Sequence, residues 1–168
     1  MVQINLFETL RPEWPDPFIL ISLAPQYYDA LVISQTKKLE YRRGQFITQP
    51  ATAFVYATLP KNSKDIGFPH AEIGAIVKLG KPRIGLETVI RLKEEEDPHS
   101  RPIMKAWLEG FQTASAHPIE RVIQFKKPIT LTELRERFPG FQPPQRYLIL
   151  NRNKELLTFL KERSEARF

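Results

Sequence analysis

The chain contains no cysteine among its 168 residues, which removes disulfides, thiolate nucleophiles and sulfur-ligated zinc from consideration and fits a reducing compartment. No apolar run reaches the eighteen or so residues needed to span a bilayer, and residues 1–17 lack a basic start followed by an apolar stretch. Neither a membrane nor a secretory route is therefore expected, and cytoplasm is the expected location. Glycine is sparse, at 7 residues, and no Gly-rich phosphate loop, nucleophile-elbow serine or recognition-helix pair occurs. The three histidines, His70, His99 and His117, stand far apart with no carboxylate at metal-ligand spacing, so they read as surface or packing residues. No metal or other cofactor is expected.

What is present is ordinary globular composition, 42% hydrophobic and 26% charged, enough for one core that buries roughly 70% of the unfolded surface. The net charge of +6 is unevenly spread. Residues 1–120 hold 14 Lys/Arg against 14 Asp/Glu, while the last 48 residues hold 11 against 5. If that tail folds beside Lys37, Lys38, Arg42 and Arg43, the result is a basic surface that attracts phosphate; the alternative is a solvated basic face.

Along the chain, Pro12, Pro15 and Pro17 mark residues 1–17 as an extended N-terminal arm, with Val2, Ile4 and Leu6 as a short edge strand. The run Phe18 to Leu23 predicts a central strand, and Pro25 opens a helix whose Tyr27, Tyr28, Leu31 and Val32 cover the core. Residues 36–43 read as a strand that puts Leu39 and Tyr41 on one face and Lys38, Glu40 and Arg42 on the other. Further strands are expected over 52–59 and 70–79. Residues 85–118 carry two helical signatures, the second with Ile103, Trp107 and Phe111 four apart, and read as a helical insertion. The acidic run Glu94 to Asp97 reads as a solvated helix end, because adjacent carboxylates on a helix diverge. A strand over 121–125 follows. Thr130 and Glu133 then form a capping-box pattern with Ile129 and Leu134 at the staple positions. Pro139-Gly140 stops that helix, 146–150 forms a last strand, and Asn151 caps a final helix through Leu156, Leu157 and Leu160. The whole is one α+β domain over residues 18–168.

The order of Ile21-Ser22-Leu23-Ala24-Pro25, a short helix, Lys37-Lys38-Leu39-Glu40-Tyr41-Arg42-Arg43 and Val55-Tyr56-Ala57-Thr58-Leu59-Pro60 resembles the ASCH family, a branch of the PUA-like superfamily. The likeness runs from about Phe18 to Leu79 and resumes over Val122 to Leu160; the helical stretch between is particular to this chain. The family's Gly-x-Lys-x-x-Glu-x-Arg motif is matched at Lys37, Glu40 and Arg42. Gln35 stands at the glycine, and Ala24 stands where many relatives carry a lysine. The resemblance implies a PUA-like mixed β-barrel with peripheral helices and a cleft that meets RNA or a nucleotide. The expected ligand-binding residues are Lys37, Lys38, Glu40, Arg42, Arg43 and Tyr56. Tyr41 and Tyr56 can stack a base, although strand parity sets Tyr41 opposite Glu40. Two other readings stand beside this one. Some relatives are hydrolases, of amidohydrolase type on a modified cytidine or of ribonuclease type; the catalytic residues would then be Lys37 and Glu40, with Glu40 where the deacylating relatives have Thr. The Trp107 and Phe111 stripe can also dock a protein partner or pack in the core.

Overall fold

The computed structural model describes residues 14–61 and 70–164. The proposed edge strand at Val2, Ile4 and Leu6 lies outside them, as do residues 62–69. Seven strands form one curled mixed sheet, a half-barrel clad by five helices: an α+β PUA-like fold. The strands are β1 (Phe18–Leu23), β2 (Leu39–Arg43), β3 (Ala51–Ala57), β4 (Glu72–Leu79), β5 (Arg83–Ile84), β6 (Ala114–Thr130) and β7 (Tyr147–Ile149). Their order is β2-β6-β4-β3-β1-β7, with β5 also on β6. β1 and β3 are parallel neighbours, and the connection between them carries a helix and β2 out to the far edge of the sheet. All other pairs are antiparallel.

The continuous apolar runs in β1 and β3 follow from burial on both faces. One face carries Ile19, Ile21, Ala53, Val55 and Val77, closed by Tyr28, Leu31 and Val32. These three come from α1, a turn of α-helix over Pro25–Tyr28 that widens into a π-helical turn over Asp29–Ile33. The other face carries Leu20, Phe54, Ile73 and Ile76 beneath two further helices.

Helices α2 (Leu86–Glu96) and α3 (Arg101–Leu108) form the insertion, which builds a third apolar cluster around Val89, Leu92, Met104 and Leu108 against Ala114 and Ala116 of β6. The helical part ends at Leu108, so the expected insertion boundary at 118 is corrected: residues 114–118 already belong to β6. Pro118 and Pro128 hid the length of this 17-residue strand, since proline reads as a strand breaker. Pro118 pairs with Leu39 of the edge strand β2. Pro128 falls in an irregular stretch, where the register jumps from Gln124 opposite Ala75 to Ile129 opposite Ile73.

Helix α4 (Leu131–Arg137) starts as its capping signal predicts, with the Thr130 hydroxyl accepting from the Glu133 amide at 3.1 Å and Ile129 and Leu134 both buried. The Glu133 carboxylate instead grips Arg163 of α5 (Lys154–Arg163). The cap of α5 is Asn153, whose side chain accepts from Leu156 N at 3.2 Å. Asn151, the expected cap, ties down the chain start: its Oδ1 accepts from Phe18 N at 2.7 Å and its Nδ2 donates to Asp16 at 3.0 Å.

Candidate functional site

Among the described residues β2 pairs only with β6 and so is an edge strand, and the charged motif enters it from the π-helical turn. Ser34 N donates to Asp29 O at 2.9 Å, and Lys37 N donates to Ala30 O at 3.0 Å, which fixes the height at which Lys37 leaves the helix. Between them Gln35 takes φ 51, the left-handed conformation that glycine adopts without Cβ strain. The turn of the Gly-x-Lys motif is thus kept despite the substitution, and Gln35 Nε2 donates to Val32 O at 3.4 Å.

Beyond the turn, three charged side chains converge. Glu40 is 2% exposed, with Oε2 2.9 Å from Lys37 Nζ and Oε1 2.9 Å from Arg42 Nε. These are close ion contacts without aligned hydrogen-bond geometry, and Arg42 Nη2 is also buried without a hydrogen bond. A buried carboxylate is strongly destabilising when its partners are removed, so Glu40 and its two cations stand or fall together. Arg42 lies over the Phe46 ring, 5.2 Å from its centroid, and reaches Arg146 O at 3.3 Å. Across the ladder from Glu40 sits His117, fully buried, its Nε2 2.8 Å from Ser115 Oγ and Phe46 edge-on at 4.9 Å. Burial above all pushes the His117 imidazole down to about 4; nearby Glu40 pulls the other way and Arg42 adds to the fall.

A cleft of about 690 Å³ runs along β2. Its floor is Leu23 and residues 36–41, including Lys37, Lys38, Glu40 and Tyr41. One wall is α1, through Tyr27 and Ala30; the other is the insertion, through Lys93 and Glu96 of α2 and Ile103, Met104 and Trp107 of α3. Lys93 Nζ stands 5.6 Å from the Tyr41 ring centroid and 3.1 Å from Glu96. Burial first, then the neighbouring Glu96 carboxylate, raises the Tyr41 phenol above its ordinary range.

The sequence motif is therefore brought together at Lys37, Glu40 and Arg42, with Lys38 exposed beside it. Two expected members are elsewhere. Arg43 follows the parity of Leu39 and Tyr41 toward the insertion but is not part of the cleft lining: its guanidinium lies 4.9 Å from the Phe111 centroid and 5.5 Å from that of Trp107 and donates to Trp107 O at 3.0 Å. Tyr56 is 2% exposed and packs with Phe54 and Ile73 in the core under α4 and α5, so no ligand reaches its ring. Among the described residues no Lys or Arg of the basic tail lines the cleft; α4 and α5, which carry part of that charge, cover the opposite face of the central strands. Tyr27, expected to help cover the core, is 54% exposed and faces the cleft, while its neighbour Tyr28 is buried.

Solved structures give the same picture. A serine-to-alanine variant of the ASCH protein from Zymomonas mobilis superposes with a TM-score of 0.66 at 25% identity, covering 89% of this chain and 100% of that one. The crystal structure of ASCH from the same organism gives 0.65 at 25%, covering 86% and 94%. The chain has the ASCH-domain fold. A tyrosine-to-phenylalanine variant of the Zymomonas protein matches with a TM-score of 0.65 at 24% identity. No family model and no curated protein matches the chain.

Within this ASCH-like fold, the insertion contributes a wall of the cleft that the motif alone does not reveal. The spacing of Ile103 and Trp107 signalled an apolar stripe, but its direction depended on how α3 sits against β2, a tertiary fact. Among the described residues no cluster of His, Asp and Glu is arranged to hold a metal ion, and Glu94 and Glu96 instead pair with Arg101 and Lys93. No helix there is long and apolar enough to cross a membrane.

Proposed function

We propose that this ASCH-fold domain binds RNA or a nucleotide in the cleft along β2. The observation that carries the proposal is the placement of Lys37, Lys38 and Lys93 around a cleft of about 690 Å³ whose remaining lining is largely aromatic and aliphatic. That volume falls in the range of pockets that enclose small ligands, and the mixture of cations with ring faces suits a phosphate joined to a base. Glu40 acts as a positioning residue: it holds Lys37 at the cleft and Arg42 behind it, and two cations against one carboxylate leave a net positive charge. Each oxygen of Glu40 already faces a cation at 2.9 Å, so neither is free to take a proton from a bound hydroxyl, which supports binding over hydrolysis.

The test is fluorescence anisotropy of labelled single-stranded RNA, and of a labelled nucleotide, across a salt series. Affinity is expected to fall steeply with salt, and Lys38→Ala with Lys93→Ala is expected to weaken binding severalfold and flatten the salt slope by about 0.7 for each lysine–phosphate pairing removed. Binding that ignores salt, or no binding by any of these ligands, overturns the proposal.

A further inference from the structure

Two hydrogen bonds decide which backbone groups of β2 are taken. Ile119 N donates to Lys38 O at 2.9 Å, and Gly44 N donates to Thr113 O at 2.8 Å. Both pairs stand directly opposite each other in the register that sets Leu39 against Pro118 and Arg43 against Ala114, so Lys38, Glu40, Arg42 and Gly44 turn their backbone groups toward β6. Leu39, Tyr41 and Arg43 therefore turn theirs the other way. Pro118, opposite Leu39, has no N–H to give and needs none in this register. Among the described residues no backbone group pairs with the N–H or C=O of these three. Leu39 and Tyr41 also line the cleft, so the free edge of β2 opens into it.

Strand alternation sorts the side chains around this edge. Leu39 and Tyr41 lie toward the insertion, whose Ile103 is 67% exposed in the same cleft. Lys38 has the other parity and is exposed, and Lys37 stands beside it with Nζ 5.1 Å from the Tyr27 ring centroid. Glu40 is buried between Lys37 and Arg42, so the charge met at that side is positive. Lysines commonly protect an edge strand from pairing. Here they sit on one parity with apolar side chains on the other, which disfavours a basic strand and admits one that alternates apolar with acidic residues. A second copy of β2 is a poor occupant, because it carries the same lysines. We propose that the free edge of β2 docks an extended segment of a partner protein as an added strand, its apolar residues beside Leu39, Tyr41 and Ile103 and its acidic residues on Lys37 and Lys38. Backbone pairing supplies the affinity and the alternation supplies the choice of partner. The proposal does not rest on the nucleotide-binding reading, although both ligands use the cleft.

The probe is a short fluorescein-labelled peptide alternating valine and glutamate, followed by anisotropy, with amide hydrogen exchange of the full chain read by NMR. In the free chain the amides of Leu39, Tyr41 and Arg43 are expected to exchange fast and those of Glu40 and Arg42 to be protected, and saturating peptide is expected to slow the first three by about tenfold or more. Methylating one alternate set of peptide nitrogens is expected to weaken binding by about tenfold, and methylating the other set to leave it unchanged, because a strand edge uses every second amide. A peptide with lysine in place of glutamate is expected to bind about tenfold more weakly, and Lys38→Glu, at an exposed position, to narrow that gap. No binding of the valine–glutamate peptide, binding that leaves the three amides exchanging fast, or equal effects of the two methylated sets overturns the proposal. Slow exchange at every position of β2 in the free chain also overturns it, assigning the edge to a second copy if dilution restores fast exchange and to a cover within the chain if it does not. Single-stranded RNA that slows the three amides where the peptide fails gives the edge to nucleic acid, which overturns the proposal and leaves the nucleotide-binding reading intact.

Discussion

Two pairs of helices clothe this sheet, and they do it differently. Helices α4 and α5 press Leu134, Leu156 and Leu160 onto Phe54, Ile73 and Phe125, and all six are buried. The α2–α3 pair closes on itself and on Ala114 and Ala116, takes Leu39 and Tyr41 of β2 only partly buried against it, and leaves Ile103 in the open. Small residues on β6 let α2 and α3 anchor close to the sheet, while Lys37 and Lys38 at the entry to β2 cannot be covered by an apolar helix face without stranding their charges. Amphipathic helices of similar kind thus seal one surface and wall a cleft on the other, and the difference lies in the strand beneath them.

Stability measurements sharpen that contrast. Leu134→Ala, in the sealed layer, is expected to cost about 2–5 kcal/mol in urea unfolding, whereas Ile103→Ala, on the cleft wall, is expected to stay within about 0.5 kcal/mol. Similar losses at the two positions would show that α3 is packed as tightly as α4 and that the cleft is closed in solution.

The polar interior on the β2 side has a second signature. An unfolded histidine titrates near 6.5 and folded His117 near about 4, so between those values the unfolded chain binds more protons. His117 therefore contributes stability in full above pH 6.5, and this contribution declines as the pH falls, being gone by about pH 4. The loss is on the order of 3 kcal/mol. Unfolding midpoints recorded from pH 7.5 to 4 are expected to fall by this route, and His117→Gln is expected to flatten that part of the profile. An unchanged slope in His117→Gln would place the acid sensitivity elsewhere.

The smallest effect concerns the turn into the cleft. Gln35→Gly removes the Cβ strain at φ 51 and gives up one long hydrogen bond, so a gain of about 0.5–1 kcal/mol is expected. A loss would mean that the Gln35 side chain, and not the backbone alone, holds Lys37 in place.

Much of this was legible beforehand in local rules. Alternation alone separated Leu39 and Tyr41 from Glu40 and Arg42, and the Thr130–Glu133 pattern located the start of α4 to the residue. Where the reading went astray, a long-range contact outweighed a local signal. Asn151 has the chemistry of a cap yet is drawn off by Phe18 and Asp16, more than 130 positions away, and Asn153 takes the role. Tyr56 has the chemistry of a stacking ring yet lies on a strand buried on both sides. The cleft's second wall was illegible for the same reason, since helical spacing shows that a stripe exists and says nothing of what it faces.

The strand bearing Lys37's partners belongs to the connection that carries the chain from β1 over to its parallel neighbour β3. The hydrogen bonds of the central ladder do not run through it: β1 pairs with β3 and β3 with β4, and the segment between residues 24 and 50 meets that ladder through the side chains of Tyr28, Leu31 and Val32. Chemistry at the cleft can be rewritten at Lys37, Lys38 and Glu40 while Tyr28, Leu31 and Val32 are kept, and the domain is in this sense a chassis with a replaceable working part.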